Sequence, residues 1–548
     1  MVGQHAAKLA AGIISSHFGD LVAKVCGCLL QHGTLSLQEI VRFTDMMGSN
    51  VKNCLLVLIQ HNCVQAFSIP RKGSTDKTVT QYMAIFDNII NRMRFSKFLS
   101  VVKDDLALEV CENDEKMQFS VMSHDSNCTN PGATDKTKKK AEVLFEGLIQ
   151  NGRLTFEQLV ERSISKGQHM DQAMRENHRS KLRACFNKLV RWHYVERCPR
   201  PEPFIDPDSE DQPKPTKRRG TKIVEQPPSL EQQAFEAATL AASERFSEIP
   251  ESSVESAEDG TGNHSSAAGD KRKHETLERD LDLVVAIAEK EVLWRVNFEK
   301  LLYCLKTKIC AENIRSRLGV DAGVVLEAIM EANTEQKIKD AIVSATLDRI
   351  LDRLRDKPGG ISMTLDHVRT ILDELHCKQS TEKLEAIYSL DLNGTLEACQ
   401  NDEIEALVKA RYGDQGYKIF RLLSTRGQLI ETDRIAEITF VEKKEAHQML
   451  YRLWKDEYIE SKKIQSQGSR DSANIFLWRL DRKAFSKTVL DDIFHAALNL
   501  TEKISQLVEK QHEILENEMK KLIQIKTILQ LSLLKIDDSL LLFHDFSK

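Results

Sequence analysis

No run in the chain approaches the ~18 consecutive apolar residues that a membrane-spanning helix needs, so no such span is expected. Residues 1–11 hold no basic stretch followed by a long apolar core, which argues against a secretory signal and for an intracellular protein. The 12 cysteines include no Cys-x-x-Cys pair, and Cys26 and Cys28 stand at a spacing that suits neither a zinc ribbon nor a redox motif. They read as free, mostly buried thiols. His61 near Cys63 and His376 beside Cys377 lack a second ligand pair at metal-site spacing. Also missing are a phosphate loop ending in Gly-Lys-Ser/Thr, a Gly-x-Ser-x-Gly elbow and a His-Glu-x-x-His helix. No catalytic centre, cofactor, metal or small-molecule substrate is therefore expected. Charge of one sign is lacking too: the formal net charge is only -5, so any contact with nucleic acid must come from local patches.

What the chain does have is a repeat. Leu29-Leu30-Gln31-His32-Gly33-Thr34-Leu35-Ser36-Leu37-Gln38-Glu39-Ile40 returns as Leu148-Ile149-Gln150-Asn151-Gly152-Arg153-Leu154-Thr155-Phe156-Glu157-Gln158-Leu159. A looser copy runs from Leu422 through Gly427 to Ile430. Each copy ends an apolar helix at a Gly suited to a left-handed C-cap, then supplies polar residues that start the next helix. A second amphipathic helix and two alternating strands follow, the order of a winged helix. The expected fold is mainly α with small β-wings: four tandem winged-helix domains followed by a C-terminal coiled coil.

The divisions expected are residues 1–90, 91–198 with a polar insert at 111–140, a linker at 199–283, then 284–393, 394–482 and the coiled coil at 483–548. The linker is rich in Pro, Ser, Glu and Ala with scarcely any aromatics, a composition that predicts disorder. In the first domain Val51, Leu55 and Leu58 mark a buried helical face, with strands predicted at 64–69 and 78–85. Residues 294–318 read as one or two helices opening the third domain, and a strand ends near Asp391. In the fourth, Phe476, Trp478 and Leu480 alternate as a strand. Beyond Gly468 there is neither Gly nor Pro, and two heptad registers appear: Ile493, Leu500, Leu507, Ile514, and Leu515, Leu522, Leu529, Ile536. The second register suggests a coiled coil that folds back on the first.

Two basic faces are candidate nucleic-acid sites. One is the first wing, with Arg71, Lys72 and Lys77, beside Lys52 on the third helix. The other is the stripe Lys181, Lys188 and Arg191 on a helix over 178–192 that buries Leu182, Phe186 and Leu189. Few aromatics interleave with these cations, so phosphate contact rather than base stacking is expected. The third domain's candidate recognition helix carries Asp366, Asp373 and Glu374, which disfavours phosphate and favours a protein-facing role. In the linker, Lys217, Arg218 and Arg219, and Lys271, Arg272 and Lys273, form short clusters of the nuclear-import type.

Five stretches resemble the third-largest subunit of RNA polymerase III, a family of tandem winged-helix proteins related to the alpha subunit of TFIIE. They are Arg94-Phe95-Ser96-Lys97-Phe98, residues 148–159, Tyr194-Val195-Glu196-Arg197-Cys198-Pro199, Ile419-Phe420-Arg421-Leu422, and Lys444-Glu445-Ala446-His447-Gln448-Met449-Leu450-Tyr451. The order of parts agrees with the family as well. The resemblance implies a nuclear, non-catalytic subunit that joins two smaller polymerase subunits in a heterotrimer on the clamp of the largest subunit. It also implies a part in initiation and promoter opening at small non-coding RNA genes, near downstream DNA. The chain departs from the alpha subunit of TFIIE in lacking its zinc ribbon, and from the polymerase family in its short coiled coil and extra polar insert. The rival readings are a free-standing winged-helix transcription factor and a scaffold of the proteasome-lid or cullin type.

Overall fold

The computed structural model describes residues 3–70, 78–106, 131–165, 172–205, 229–249, 292–333, 341–357, 359–360, 362–382, 385–465, 474–510 and 516–547. It forms two compact units, Ile13–Leu301 and Leu302–Lys548 with Val2–Gly12.

Each unit contains two three-stranded antiparallel sheets with the same topology, in which the last strand lies in the middle. The repeat behind each sheet is helix, short strand, two helices, two strands. In the first copy, helix Asp20–His32 leads into β1 (Leu35–Ser36), helices Leu37–Thr44 and Gly48–Gln60, then β2 (Val64–Pro70) and β3 (Thr78–Ala84). Ser36 starts its helix by a reciprocal capping box with Glu39, and Thr155 and Gln158 repeat that exchange in the second copy. Val51, Leu55 and Leu58 are buried as their spacing predicts.

The second copy has helix Pro131–Asn151, β4 (Leu154–Thr155), helices Phe156–Ser165 and Gln172–Arg191, and β5 (Val195–Arg197). Its middle strand, β6 (Leu293–Val296), arrives almost a hundred residues later. Trp294 pairs with Leu154 on one side and Arg197 on the other. Residues 294–296, expected as helix in the third domain, are therefore strand in the second sheet, because Trp294 and Val296 alternate into that core. The helix begins only at Phe298. Gly152, at φ 78°, fits where a Cβ would lie 2.1 Å from the Gln60 carbonyl oxygen, and Arg153 donates from its backbone to that oxygen at 2.8 Å.

The predicted disorder of the linker is corrected over 199–205 and 229–249. Ile205 and Ala234 pack with Phe67 and Met83, while Leu230 and Ala237 extend the cluster. Helix Leu230–Ala238 is started by a Ser229–Gln232 capping box. Leu230, Ala234 and Ala237 fall at helical spacing, a local pattern that the average composition hides. Part of the expected polar insert, residues 131–140, is likewise helical.

The other unit holds β7 (Ile342–Thr346), β8 (Lys378–Glu382) and β9 (Glu385–Asp391), followed by β10 (Ile430–Glu431), β11 (Glu460–Gln465) and β12 (Asn474–Arg479). Gly413, at φ 72°, breaks the long helix Leu392–Arg426, so the last repeat starts from its second half. Helices Arg482–Lys510 and Glu516–Leu540 pack on each other. Along the latter Met519, Leu522, Lys526, Leu529, Leu533, Ile536 and Leu540 recur at alternating steps of three and four and are half-buried or buried. All described cysteines are free and most are buried, and burial pushes the Cys63 thiol up to about 11.

His61 gives a pH dependence. It lies 4.5 Å from the Phe18 ring, and its Nδ1 is buried without a hydrogen bond among the described residues. Burial, with Arg92 and His17 adding repulsion, lowers its pKa to about 4. The unfolded chain binds this proton below about pH 6.5 while the folded chain resists it, so stability is present above that pH and is lost as pH falls toward 4. After discounting for partial exposure, the loss between pH 7 and pH 5 is on the order of 1 kcal/mol. Denaturant unfolding of His61→Gln should show a flatter pH profile; an unchanged profile would remove His61 as its source.

Candidate nucleic-acid interface

Lys52 is exposed on helix Gly48–Gln60, as expected, and Arg42 is the exposed cation of the helix before it. Phe43, Met47 and Leu56 are exposed on the same helix pair, beside Ser49, Asn50 and Asn53. Two cations on a helix pair that otherwise exposes apolar and neutral residues make a weak phosphate site. The wing residues Arg71, Lys72 and Lys77 lie outside the described residues.

The second stripe exists, but much of it is already engaged. Lys181 is exposed and forms no ion pair among the described residues. Lys188 is half-buried with its ammonium 4.8 Å from the centre of the Trp192 ring, and burial lowers its pKa. Arg191 donates from Nε and Nη2 to Glu248 at 2.9 and 3.0 Å, and those hydrogen bonds raise its pKa. Glu248 is held there by its neighbours. Asn187 donates to the Ile249 carbonyl at 2.8 Å and accepts from the Ile249 amide at 3.0 Å, and Phe246 stacks on His193 with ring centres 4.0 Å apart. A segment of the linker thus covers one end of the stripe with a carboxylate. The import-type clusters, Lys217 to Arg219 and Lys271 to Lys273, lie outside the described residues.

A face that the sequence reading passed over is more open. On helix Lys443–Lys455, Ala446, Leu450 and Leu453 turn inward, leaving Lys444, His447, Gln448, Tyr451, Trp454 and Lys455 exposed. The Tyr451 and Trp454 rings lie 5.7 Å apart, so aromatics and cations do interleave here. Lys462 and Lys463 are exposed on β11. Lys444, Lys455, Lys462 and Lys463 form no ion pair among the described residues, whereas Lys443 is bound to Asp433 at 3.0 Å and Arg479 to Glu460 at 2.9 Å. Phe440, at the turn into this helix, is 93% exposed with φ 54°, a backbone conformation unfavourable for a bulky residue. A search for cationic periodicity misses this face because Glu445 and the aromatics interrupt it. The usable signal was Tyr451 and Trp454 falling outside the buried i, i+4, i+7 set. In the third repeat, helix Leu365–Glu374 exposes Asp366, Asp373 and Glu374, which leaves it unsuited to phosphate.

Comparison with known proteins agrees with this architecture. Residues 8–68 match the family model described as the RNA polymerase III subunit RPC82 helix-turn-helix domain. Residues 184–475, more than half of the chain, match the model described as RNA polymerase III subunit RPC82. Among curated relatives, the DNA-directed RNA polymerase III subunit RPC3 of Bos taurus is 21% identical over 532 residues, covering 93% of this chain and 86% of the relative. The rpc3 subunit of Dictyostelium discoideum is 21% identical over 650 residues, covering 93% of each chain. The Homo sapiens RPC3 subunit is 20% identical over 523 residues, covering 93% and 85%. With its helix-turn-helix repeats, its small three-stranded sheets and a family match across more than half its length, this chain belongs to the RNA polymerase III subunit RPC82 family.

Proposed function

We propose that the chain is a non-catalytic subunit of nuclear DNA-directed RNA polymerase III, acting with two smaller subunits in a heterotrimer on the clamp during initiation and promoter opening. Family membership and the relatives' names support the polymerase assignment. The winged-helix units hold polypeptide partners, and DNA is contacted through its phosphates. The observation that supports DNA contact best is Lys444 and Lys455, exposed on the helix that carries Tyr451 and Trp454, with Lys462 and Lys463 exposed on β11 of the same repeat. Together they offer more unpaired cations than Lys181, Lys188 and Arg191, of which Arg191 is held by Glu248.

Salt dependence distinguishes the two faces. Each phosphate neutralised on duplex DNA contributes about 0.9 to the slope of log affinity against log salt. Replacing Lys444, Lys455, Lys462 and Lys463 with Ala should flatten that slope by up to about one unit per lysine. The triple change at Lys181, Lys188 and Arg191 should flatten it by about one unit at most. The reverse ranking, measured by fluorescence anisotropy on full-length protein, would return the interface to the second repeat. For the assembly, purification of the tagged protein at moderate salt should recover the large polymerase subunits with two small partners. Recovery of proteasome-lid or ubiquitin-ligase components instead would make the polymerase reading wrong.

A further inference from the structure

The stripe on helix Gln172–Arg191 is covered at one end and open at the other. Over residues 177–191 the helix has no Asp or Glu. Its outer face exposes Lys181 and Arg191 beside Ser180 and Ala184, which are small enough for the backbone of a polyanion to come close. No large apolar side chain is exposed over residues 180–191, so this face lacks the apolar centre of a protein interface. One sign of charge without such a centre suits phosphates.

What lies on the covered end imitates a phosphate. Glu248 takes both the Nε and Nη2 donors of Arg191, the planar fork that a phosphate engages in the same way. Arg245 is engaged by Glu196, and the next Lys or Arg in the sequence is Lys271, so Arg191 has no rival nearby in sequence for this carboxylate. The segment is anchored unevenly. Arg245 is fixed to the buried Glu196 and donates to Asn297 Oδ1 at 3.4 Å. Residues 246–249 are held at the surface, by the Phe246 ring on His193, the Ile249 backbone on Asn187, and Glu248 on an Arg191 side chain that is 68% exposed. None of residues 239–249 is buried. With so few buried contacts, residues 246–249 open at small cost while Arg245 stays in place.

We propose that residues 246–249 are a reversible, phosphate-imitating cover, and that the outer face of helix Gln172–Arg191 binds the backbone of duplex DNA when they swing away. Arg191 exchanges the Glu248 carboxylate for one phosphate, and Lys181 takes another on the open half of the stripe. The two lie about 15 Å apart along the helix at a rise of about 1.5 Å per residue, so they meet different phosphates. Bound DNA and the closed cover exclude each other. This rests on the reading that the chain meets DNA through its phosphates, and adds a covered surface to the open one of the fourth repeat.

Anisotropy of a fluorescent random-sequence duplex with the full-length chain tests this in a background of Lys444→Ala, Lys455→Ala, Lys462→Ala and Lys463→Ala, so that the two surfaces are read apart. Phe246→Ala with Glu248→Gln, both outside the apolar core, should tighten binding about fivefold, the scale of an exposed charge pair, and steepen the salt slope by about one unit. Glu244→Gln removes the same charge from the same segment without touching Arg191 and should change neither. Adding Lys181→Ala and Arg191→Ala to the opened variant should abolish the gain, and a gain in the first place is a result that loss of fold cannot mimic. In the same background with the cover intact, saturating duplex should speed hydrogen exchange at the Ile249 amide, which Asn187 holds. No gain on opening, an equal gain from Glu244→Gln, a gain that survives loss of Lys181 and Arg191, or an Ile249 amide that stays protected under duplex overturns the proposal.

Discussion

A fragment ending at residue 283 is expected to fail to fold its second repeat, while one ending at residue 301 folds it. The divisions read from sequence would place the break before the third domain and discard residues 293–296. Those residues form β6, the middle strand of the second sheet. Without it β4 and β5 have no partner, since each pairs only with β6. The loss is also one of packing. Trp294 is fully buried, edge-on to Phe186 with ring centres 5.1 Å apart, and Arg197 lies 5.4 Å from its centre. Removing a buried Trp side chain alone costs about 3–5 kcal/mol, against a typical domain stability of about 5–15 kcal/mol. Proteolysis of the two fragments provides the measurement. Equal resistance of residues 141–197 in both would show that the strand is dispensable.

That boundary shows what the sequence can and cannot disclose. Local features were legible: the glycine-terminated helices, the capping residues, the buried face of Val51, Leu55 and Leu58, and the first wing strands at Val64–Pro70 and Thr78–Ala84. Each depends on neighbours within one or two turns. The third domain was expected, but without its entry motif, because its leading helix, Val320–Ala332, ends at Asn333 rather than Gly, and β7 begins only at Ile342. The assignment of β6 failed for a different reason. A four-residue strand records its own alternation but not which sheet it completes, and its partners lie about 100 and 140 residues back. The candidate interface was legible in residue type but not in availability. Lys188 and Arg191 are cations in any sequence, yet Trp192 lies beside the first and Glu248, 57 residues from the second, neutralises it.

Glu196 is the position whose change should cost most for a single side chain outside the apolar core. It follows Val195 on β5 and is buried, its side chain 3% exposed. Across the strand pair its register partner is Arg295, whose Nε donates to Glu196 Oε1 at 2.7 Å. Arg245, from the linker segment, donates to the other carboxylate oxygen. One buried carboxylate therefore joins the linker to the middle strand of the sheet. Glu196→Ala leaves two guanidinium groups, 22% and 25% exposed, without their shared anion. Breaking a buried pair from one side typically costs about 3–5 kcal/mol, and residual water access to both arginines places this case near the lower end. Arg245→Ala should cost less, because Glu196 keeps its bond to Arg295 and the lost cation was partly solvated. Hydrogen exchange on the full chain reads the difference, with the amides of β5 and β6 opening at least tenfold faster in Glu196→Ala than in Arg245→Ala. Equal exchange in the two variants would mean that the carboxylate holds the linker alone and leaves the sheet to its apolar core.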